Sequence, residues 1–252
     1  MLLHYYPTSY WSRIVSLALA EKGLAPERRV VDITKNASFD PDYLRVNPRG
    51  VVPTLVQDDG TVVWDGPTIV RALDVLAAPS LCDGAPDYLP ELEKLEVMLF
   101  SYSVWVLGKR GEKSADILAD KVTRAADMAQ AHPDLRELYE RKGRFFAEFR
   151  AKLNDPMYVA RRTHEAGALL YRMAESVDTT PWLHGDKFGY ADCIAVAALD
   201  RFVDLGMLDA WNTQGHALHG YFKRARVRAS YRAVYVDDPN VDERYRRVVD
   251  AP

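Results

Sequence analysis

The chain has 252 residues, 48% of them apolar and 27% charged, with a formal net charge of −3 and a pI near 6.1. That length holds two small domains or one large one. The charge balance argues against a nucleic-acid binder, which carries a basic surplus, and no apolar run approaches the ~20 residues of a membrane span.

The opening Met-Leu-Leu-His-Tyr-Tyr lacks the basic-then-apolar order of a signal peptide. Leu2 to Tyr6 reads as a short strand. Tyr10 to Lys22 reads as a helix, with Trp11, Ile14, Val15, Ala18 and Leu19 at helical spacing and Gly23 as its stop. Arg28 to Ile33 reads as a second strand and Asp40 to Val46 as a short helical turn. Thr54 to Gln57 and Thr61 to Trp64 flank Asp58-Asp59-Gly60, a hairpin signal. A helix from about Pro67 to Ala77 completes the order β-α-β-α-β-β-α, a small sheet covered by helices.

Residues 79–88, with Pro79, Gly84 and Pro86, read as a linker between a first domain at 1–78 and a helical one at 89–236. Helical periodicity runs through Leu89 to Leu107, Ala115 to Gln130, Asp134 to Leu153, Met157 to Ser176 and Tyr190 to Leu205, with shorter stretches at His216 to Arg224 and Ala229 to Val236. Breaks are expected at Gly111, Pro133, Asn154-Asp155-Pro156, Pro181 and Gly206. Residues 237–252 form a charged tail, expected to be solvated. Cys82 and Cys193 have no partners at metal-ligand spacing, and the six histidines show none either, so free thiols, no metal site and a cytoplasmic setting are expected.

Three stretches carry chemistry. In Asn47-Pro48-Arg49-Gly50-Val51-Val52-Pro53-Thr54-Leu55, a proline stands where a strand begins and cannot donate to its ladder. Either this is an ordinary loop, or a cis Val52–Pro53 bond frees the Val52 backbone to pair with an extended peptide. In Tyr5-Tyr6-Pro7-Thr8-Ser9-Tyr10-Trp11-Ser12, Ser9 falls at a helix start, where it can cap the helix or face an anion drawn by the unpaired N–H groups. In Trp64-Asp65-Gly66-Pro67-Thr68-Ile69, a proline just inside a helix start leaves N–H groups suited to a carboxylate.

That set, in that order and spacing, resembles the glutathione transferase family. Asn47 to Leu55 matches its NPxGxVPxL signature, Ala20 to Gly23 its Ala-Glu-Lys-Gly helix end, and Pro181 to Asp192 its helix-capping core segment, with Gly189 where a Ser or Thr is usual. The resemblance implies a thioredoxin-like α/β domain followed by an all-α helical bundle, glutathione as co-substrate, and homodimerisation. It implies a thiolate stabilised by Ser9, or alternatively by Tyr5, attacking a small hydrophobic, aromatic electrophile in conjugation or aryl-ether cleavage; detoxification or aromatic catabolism is the corresponding role. Val52 and Pro53 would hold the cysteinyl part, Asp65 and Gly66 the γ-glutamyl group, and Arg49 is a candidate for a carboxylate. Tyr10, Trp11, Tyr102 and Trp105, with Phe100 and Val106 beside them, would face the second substrate, and Asp192 would be a folding residue.

Two departures stand out: Gly66 lacks the family's serine hydroxyl, and Val51 replaces a residue that is often polar. Phe39 to Asn47, Val51 to Leu55 and the stretch around His132 to Arg136 are similar to bacterial members that act on aromatic compounds, the tetrachlorohydroquinone reductive dehalogenases among them. Those carry a cysteine where this chain has Trp11, so thiol–disulfide chemistry is disfavoured. A non-catalytic interaction module and a glutathione-dependent isomerase are the alternatives; the isomerase group's Ser-Ser-Cys run is absent at Ser9-Tyr10-Trp11.

Overall fold

The computed structural model describes residues 1–106, 117–207 and 215–247, with the backbone alone for 105, 106, 215, 216 and 244. Leu2–Tyr5 (β1) runs parallel to Glu27–Val30 (β2) and antiparallel to Thr54–Val56 (β3). β3 pairs in turn with Val62–Trp64 (β4), giving the order β2-β1-β3-β4. β2 ends earlier than the Val-Val-Asp-Ile run suggests. Asp32 accepts the N–H groups of Thr34 and Lys35 at 3.0 and 3.2 Å and turns Ile33–Lys35 into a 3-10 helix.

Tyr10–Glu21 (α1), Pro41–Val46 (α2) and Gly66–Leu76 (α3) are the helices of this stretch. α1 buries Ile14, Val15, Leu17, Ala18 and Leu19 completely, then ends on Gly23 at φ +65°, where Leu24 N–H reaches back to Leu19 O at 2.9 Å. Beyond α3 the regular elements among the described residues are helices: Leu89–Glu93 (α4), Val97–Val106 (α5), Ile117–Ala131 (α6), Arg136–Leu153 (α7), Pro156–Thr179 (α8), Tyr190–Asp204 (α9), Gly215–Arg226 (α10) and Ala229–Tyr235 (α11). The α/β-then-helical fold class expected from the sequence is the one observed. No helix among the described residues is long and apolar enough to cross a membrane.

The helix expected over Leu89 to Leu107 is two helices. The N–H groups of Lys94 and Leu95 turn back to Glu91 and Leu92 at 3.2 Å, closing α4, and Glu96 O restarts the ladder with Leu99 N–H at 2.8 Å. Leu107 and the break expected at Gly111 lie outside the described residues.

The chain divides into two compact units that do not follow chain order. The first holds 1–30, 52–95 and 165–252, with the 79–88 segment inside it; the second holds 31–51 and 96–164. In the first, α9 is buried at every position from Tyr190 to Phe202, the mark of a helix surrounded on all sides. Asp192 at its start accepts from Leu183 N–H (2.9 Å), Gly189 N–H (2.8 Å) and the Tyr221 hydroxyl (2.9 Å), as a folding residue should. Cys193 beside it is fully buried. In the second unit, Phe39 and Leu44 pack with Ala125, Ala129, Leu135 and Tyr139, while Leu99, Leu118, Phe149 and Leu153 form another cluster.

Over 237–247 the tail is mostly exposed, as expected, but it is anchored to the first unit at a few points. Asp238 and Val241 are buried, and Arg247 forks onto Asp200 through two bonds of 2.9 Å. Charge in the sequence suggested solvent throughout, but Asp238 and Arg247 find buried partners in Tyr5 and Asp200. Residues 248–252 lie outside the described residues.

Candidate active site

Strand register decides which segments meet. His4 of β1 lies opposite Thr54 of β3, and Thr54 lies opposite Trp64 of β4. In antiparallel pairs this places the end of β1, the start of β3 and the end of β4 at one end of the sheet. The turn into α1, the Val52–Pro53 segment and the turn into α3 all leave from there. The structure therefore brings Ser9, Val52, Pro53, Asp65 and Gly66 to one end of the first unit.

Ser9 is the N-cap of α1. Its N–H donates to Tyr6 O and its carbonyl accepts Arg13 N–H, both at 2.9 Å, yet its side chain makes no capping bond. The Ser12 hydroxyl accepts Tyr6 N–H at 3.2 Å instead. Two guanidinium groups hold the rest of the turn: Arg13 Nε donates to Pro7 O at 3.1 Å and Arg201 Nη2 to Thr8 O at 2.6 Å. Arg13 also pairs with Asp200 at 2.8 Å, both side chains 3% exposed. Sequence reasoning missed Arg13, Asp200 and Arg201. The available signal was a charge within the apolar pattern of α1 and an Asp-Arg pair directly after the apolar run Cys193 to Leu199 of α9, since buried charges persist only with partners.

Tyr5 points elsewhere. Its ring is 1% exposed, its hydroxyl donates to both Asp238 oxygens at 3.0 and 2.9 Å, and Asn240 Nδ2 donates to it at 2.9 Å. Burial and the adjacent carboxylate push the phenol's pKa up.

The Val52–Pro53 bond is cis. Neither backbone group of Val52 forms a hydrogen bond among the described residues, while Val51 O accepts the Tyr43 hydroxyl at 2.6 Å and Asn47 Nδ2 at 2.8 Å. Arg49 belongs to the second unit, where its side chain is exposed and its N–H donates to Asn47 Oδ1 at 2.9 Å.

At the start of α3, Asp65 adopts φ +86°, a conformation L-residues rarely take, and accepts the Thr68 hydroxyl at 3.0 Å. Gly66 is buried under the Trp11 indole: a Cβ there would stand 2.2 Å from Cε3 and 2.8 Å from Cδ2 of the ring. The N-termini of α1 and α3 thus meet through Trp11. Each presents first-turn N–H groups and the positive end of a helix dipole.

Tyr10 lies edge-on to Trp11 with ring centroids 5.6 Å apart; its hydroxyl is buried without a hydrogen-bond partner among the described residues, and burial pushes its pKa up. Tyr102 belongs to the second unit and packs edge-on to Phe149 at 5.5 Å. Phe100 is buried. The side chains of Trp105 and Val106 lie outside those described. Burial and nearby Asp74 push the Cys82 thiol up to about 11, and burial raises Cys193 well above its ordinary value, so neither supplies a thiolate at neutral pH. Among the described residues no cluster of His, Cys, Asp and Glu could hold a metal.

Comparison with known proteins gives this geometry a context. Residues 8–76 match the family model described as glutathione S-transferase, N-terminal domain. The chain is similar, at 26% identity over 93% of its length and 95% of the other protein's, to tetrachloro-p-hydroquinone reductive dehalogenase of Sphingobium chlorophenolicum. It is 26% identical to glutathione S-transferase TCHQD of Arabidopsis thaliana, over 93% and 89% of the two chains. In fold it is similar to beta-etherase LigF of Sphingobium sp. strain SYK-6, with a TM-score of 0.63, 17% identity, and 93% and 98% of the chains covered.

Proposed function

We propose that this chain, which belongs to the glutathione transferase family, activates the thiol of glutathione with Ser9 and directs it onto a small hydrophobic, aromatic electrophile. The observation that carries the reading is the Ser9 hydroxyl, left out of helix capping at the start of α1. A hydroxyl donating to sulfur, reinforced by the helix N-terminus, favours thiolate over thiol. The thiol proton leaves to solvent, sulfur bonds the electrophilic carbon, and the leaving group departs as its anion, whether halide or aryloxide. Orientation by the site supplies much of the rate.

Val52 is the backbone partner for the cysteinyl unit in this reading, Pro53 shapes that segment, and Asp65 and Gly66 receive the γ-glutamyl end. Tyr10 is the candidate for contact with the second substrate. A homodimer, a cytoplasmic setting and a detoxifying or aromatic-catabolic role belong to the same reading. The dehalogenase and beta-etherase names among the relatives support aromatic substrates. Reductive dehalogenation through a protein thiol is not supported by two cysteines that stay protonated.

The test is the rate of glutathione conjugation to chlorodinitrobenzene, alongside release of phenol from an aryl ether. The reading expects Ser9→Ala to lose at least about tenfold in either assay, the low end for a lost transition-state donor. Retention on immobilised glutathione with no turnover in both assays would favour the non-catalytic module instead.

A further inference from the structure

We infer that Trp11 is a specificity-determining residue of the glutathione site, its indole forming the wall against the ligand's γ-glutamyl end in the volume a serine side chain at position 66 would need. The inference rests on the reading that glutathione binds at this end of the sheet.

An interlock carries it. A Cβ on residue 66 would stand 2.2, 2.8 and 3.0 Å from Cε3, Cδ2 and Cζ3 of the indole, all on one edge of its six-membered ring. Carbon atoms rest at about 3.5–4 Å from one another, so any side chain at 66 requires the ring to move. Tyr10 packs edge-on against that ring, and Gly66 is buried at the fixed start of α3. The glycine and the tryptophan are therefore one device: residue 66 lacks a hydroxyl because residue 11 fills its place.

Trp11 is only half-buried, so part of the indole remains open to a ligand. Asp65 precedes Gly66 as the N-cap of α3, its carboxylate accepting the Thr68 hydroxyl, and the first-turn N–H groups of α3 start there. An aromatic face and a carboxylate attract a cation, and helix-start amides attract an anion. The amino-acid end of a γ-glutamyl group carries both charges. An aromatic surface thus takes the position of a hydroxyl, and affinity for the glutamyl end depends on Trp11.

Calorimetric titration of the wild type, Trp11→Ala, Gly66→Ser and the double variant tests this, with glutathione and with cysteinylglycine, which keeps the thiol and lacks the glutamyl group. Trp11→Ala is expected to weaken glutathione about tenfold and cysteinylglycine less than about twofold, tenfold being one step of ~1.4 kcal/mol. Gly66→Ser is expected to weaken glutathione, and the double variant to bind it more tightly than Gly66→Ser does. Unchanged glutathione affinity in Trp11→Ala, equal loss for both peptides, or a double variant no better than Gly66→Ser overturns the inference. A wild type that releases no heat with glutathione overturns the binding site itself, which is a separate result.

Discussion

His184 presses its imidazole onto Gly189: a Cβ on that glycine would stand 2.5 Å from both Cγ and Cδ2 of the ring. Nδ1 of the same ring donates to Asp83 O at 2.9 Å, and Nε2 accepts Ala191 N–H, in the first turn of α9, at 3.0 Å. The capping hydroxyl missing at position 189 is replaced by a ring nitrogen from five residues upstream. His184→Ala is expected to cost about 1–2 kcal/mol, the worth of a helix cap. Gly189→Ser is expected to cost more with His184 present than in a His184→Ala background, where the serine has room to cap. Urea denaturation of the four proteins decides it, since additive costs would show that the two residues do not compete for one space.

Tyr5 and Ser9 carry opposite expectations. Tyr5→Phe removes a bond to a buried carboxylate and should lower stability by about 1.5–3 kcal/mol while leaving the conjugation rate within about twofold. Ser9→Ala should do the reverse, with stability nearly unchanged and the rate down by at least about tenfold. Denaturant midpoints and initial rates on the same preparations separate the two. An inactive Tyr5→Phe beside an active Ser9→Ala would move the chemistry to the phenol.

Asp200 is the junction that steadies the turn bearing Ser9. It accepts from Arg13 at 2.8 Å, from the Tyr231 hydroxyl at 3.0 Å and twice from Arg247 at 2.9 Å. Asp200→Ala leaves the buried Arg13 without its carboxylate, while Arg247 keeps Asp204, and breaking a buried pair from one side costs about 3–5 kcal/mol. Arg13→Met also frees Pro7 O, so its expected signature is a slower conjugation rate at temperatures where the protein is still fully folded. A rate equal to wild type would show that the turn holds its shape without Arg13.

Local signals made most of the fold legible and left the site half-read. The strands, α1, α3 and the turn at Pro53 follow from alternation, helical spacing and proline or glycine punctuation, all of which act over a few residues. The choice between Tyr5 and Ser9 does not. It turns on Asp238, 233 positions away, whose carboxylate claims the Tyr5 hydroxyl. Arg13 finds Asp200 across 187 positions, and the two charged anchors of the mostly exposed tail, Asp238 and Arg247, meet partners far upstream in Tyr5 and Asp200. Gly66 and Gly189 each read as the loss of a hydroxyl. In the structure each is a place where an aromatic ring from another segment has taken the room, which a single sequence does not display.

Lys142 gives the protein a pH dependence with a definite sign. Its side chain is buried on α7, with Nζ donating to Gly50 O and standing 4.5 Å from the Phe39 ring centroid and 5.6 Å from that of Phe146. The charged groups facing it include Lys121 of α6, itself bound to Asn36 Oδ1 at 2.9 Å, and no carboxylate pairs with it among the described residues. Burial, reinforced by Lys121, lowers its pKa from the ordinary 10.5 to about 7. Between those values the unfolded chain holds a proton that the folded one has released, so stability rises with pH, at up to roughly 1.4 kcal/mol per unit. Below about 7 both states are charged and the contribution is flat. The rise is cleanest from about pH 7 to 8.5, because Cys82 and Cys193, with raised pKa values, oppose it once unfolded thiols ionise. Lys142→Met keeps the apolar stem and removes the titrating group. Its denaturation free energy should therefore lose the upward slope that the wild type shows over this window. Parallel slopes in the two proteins would mean that Lys142 keeps its proton in the fold.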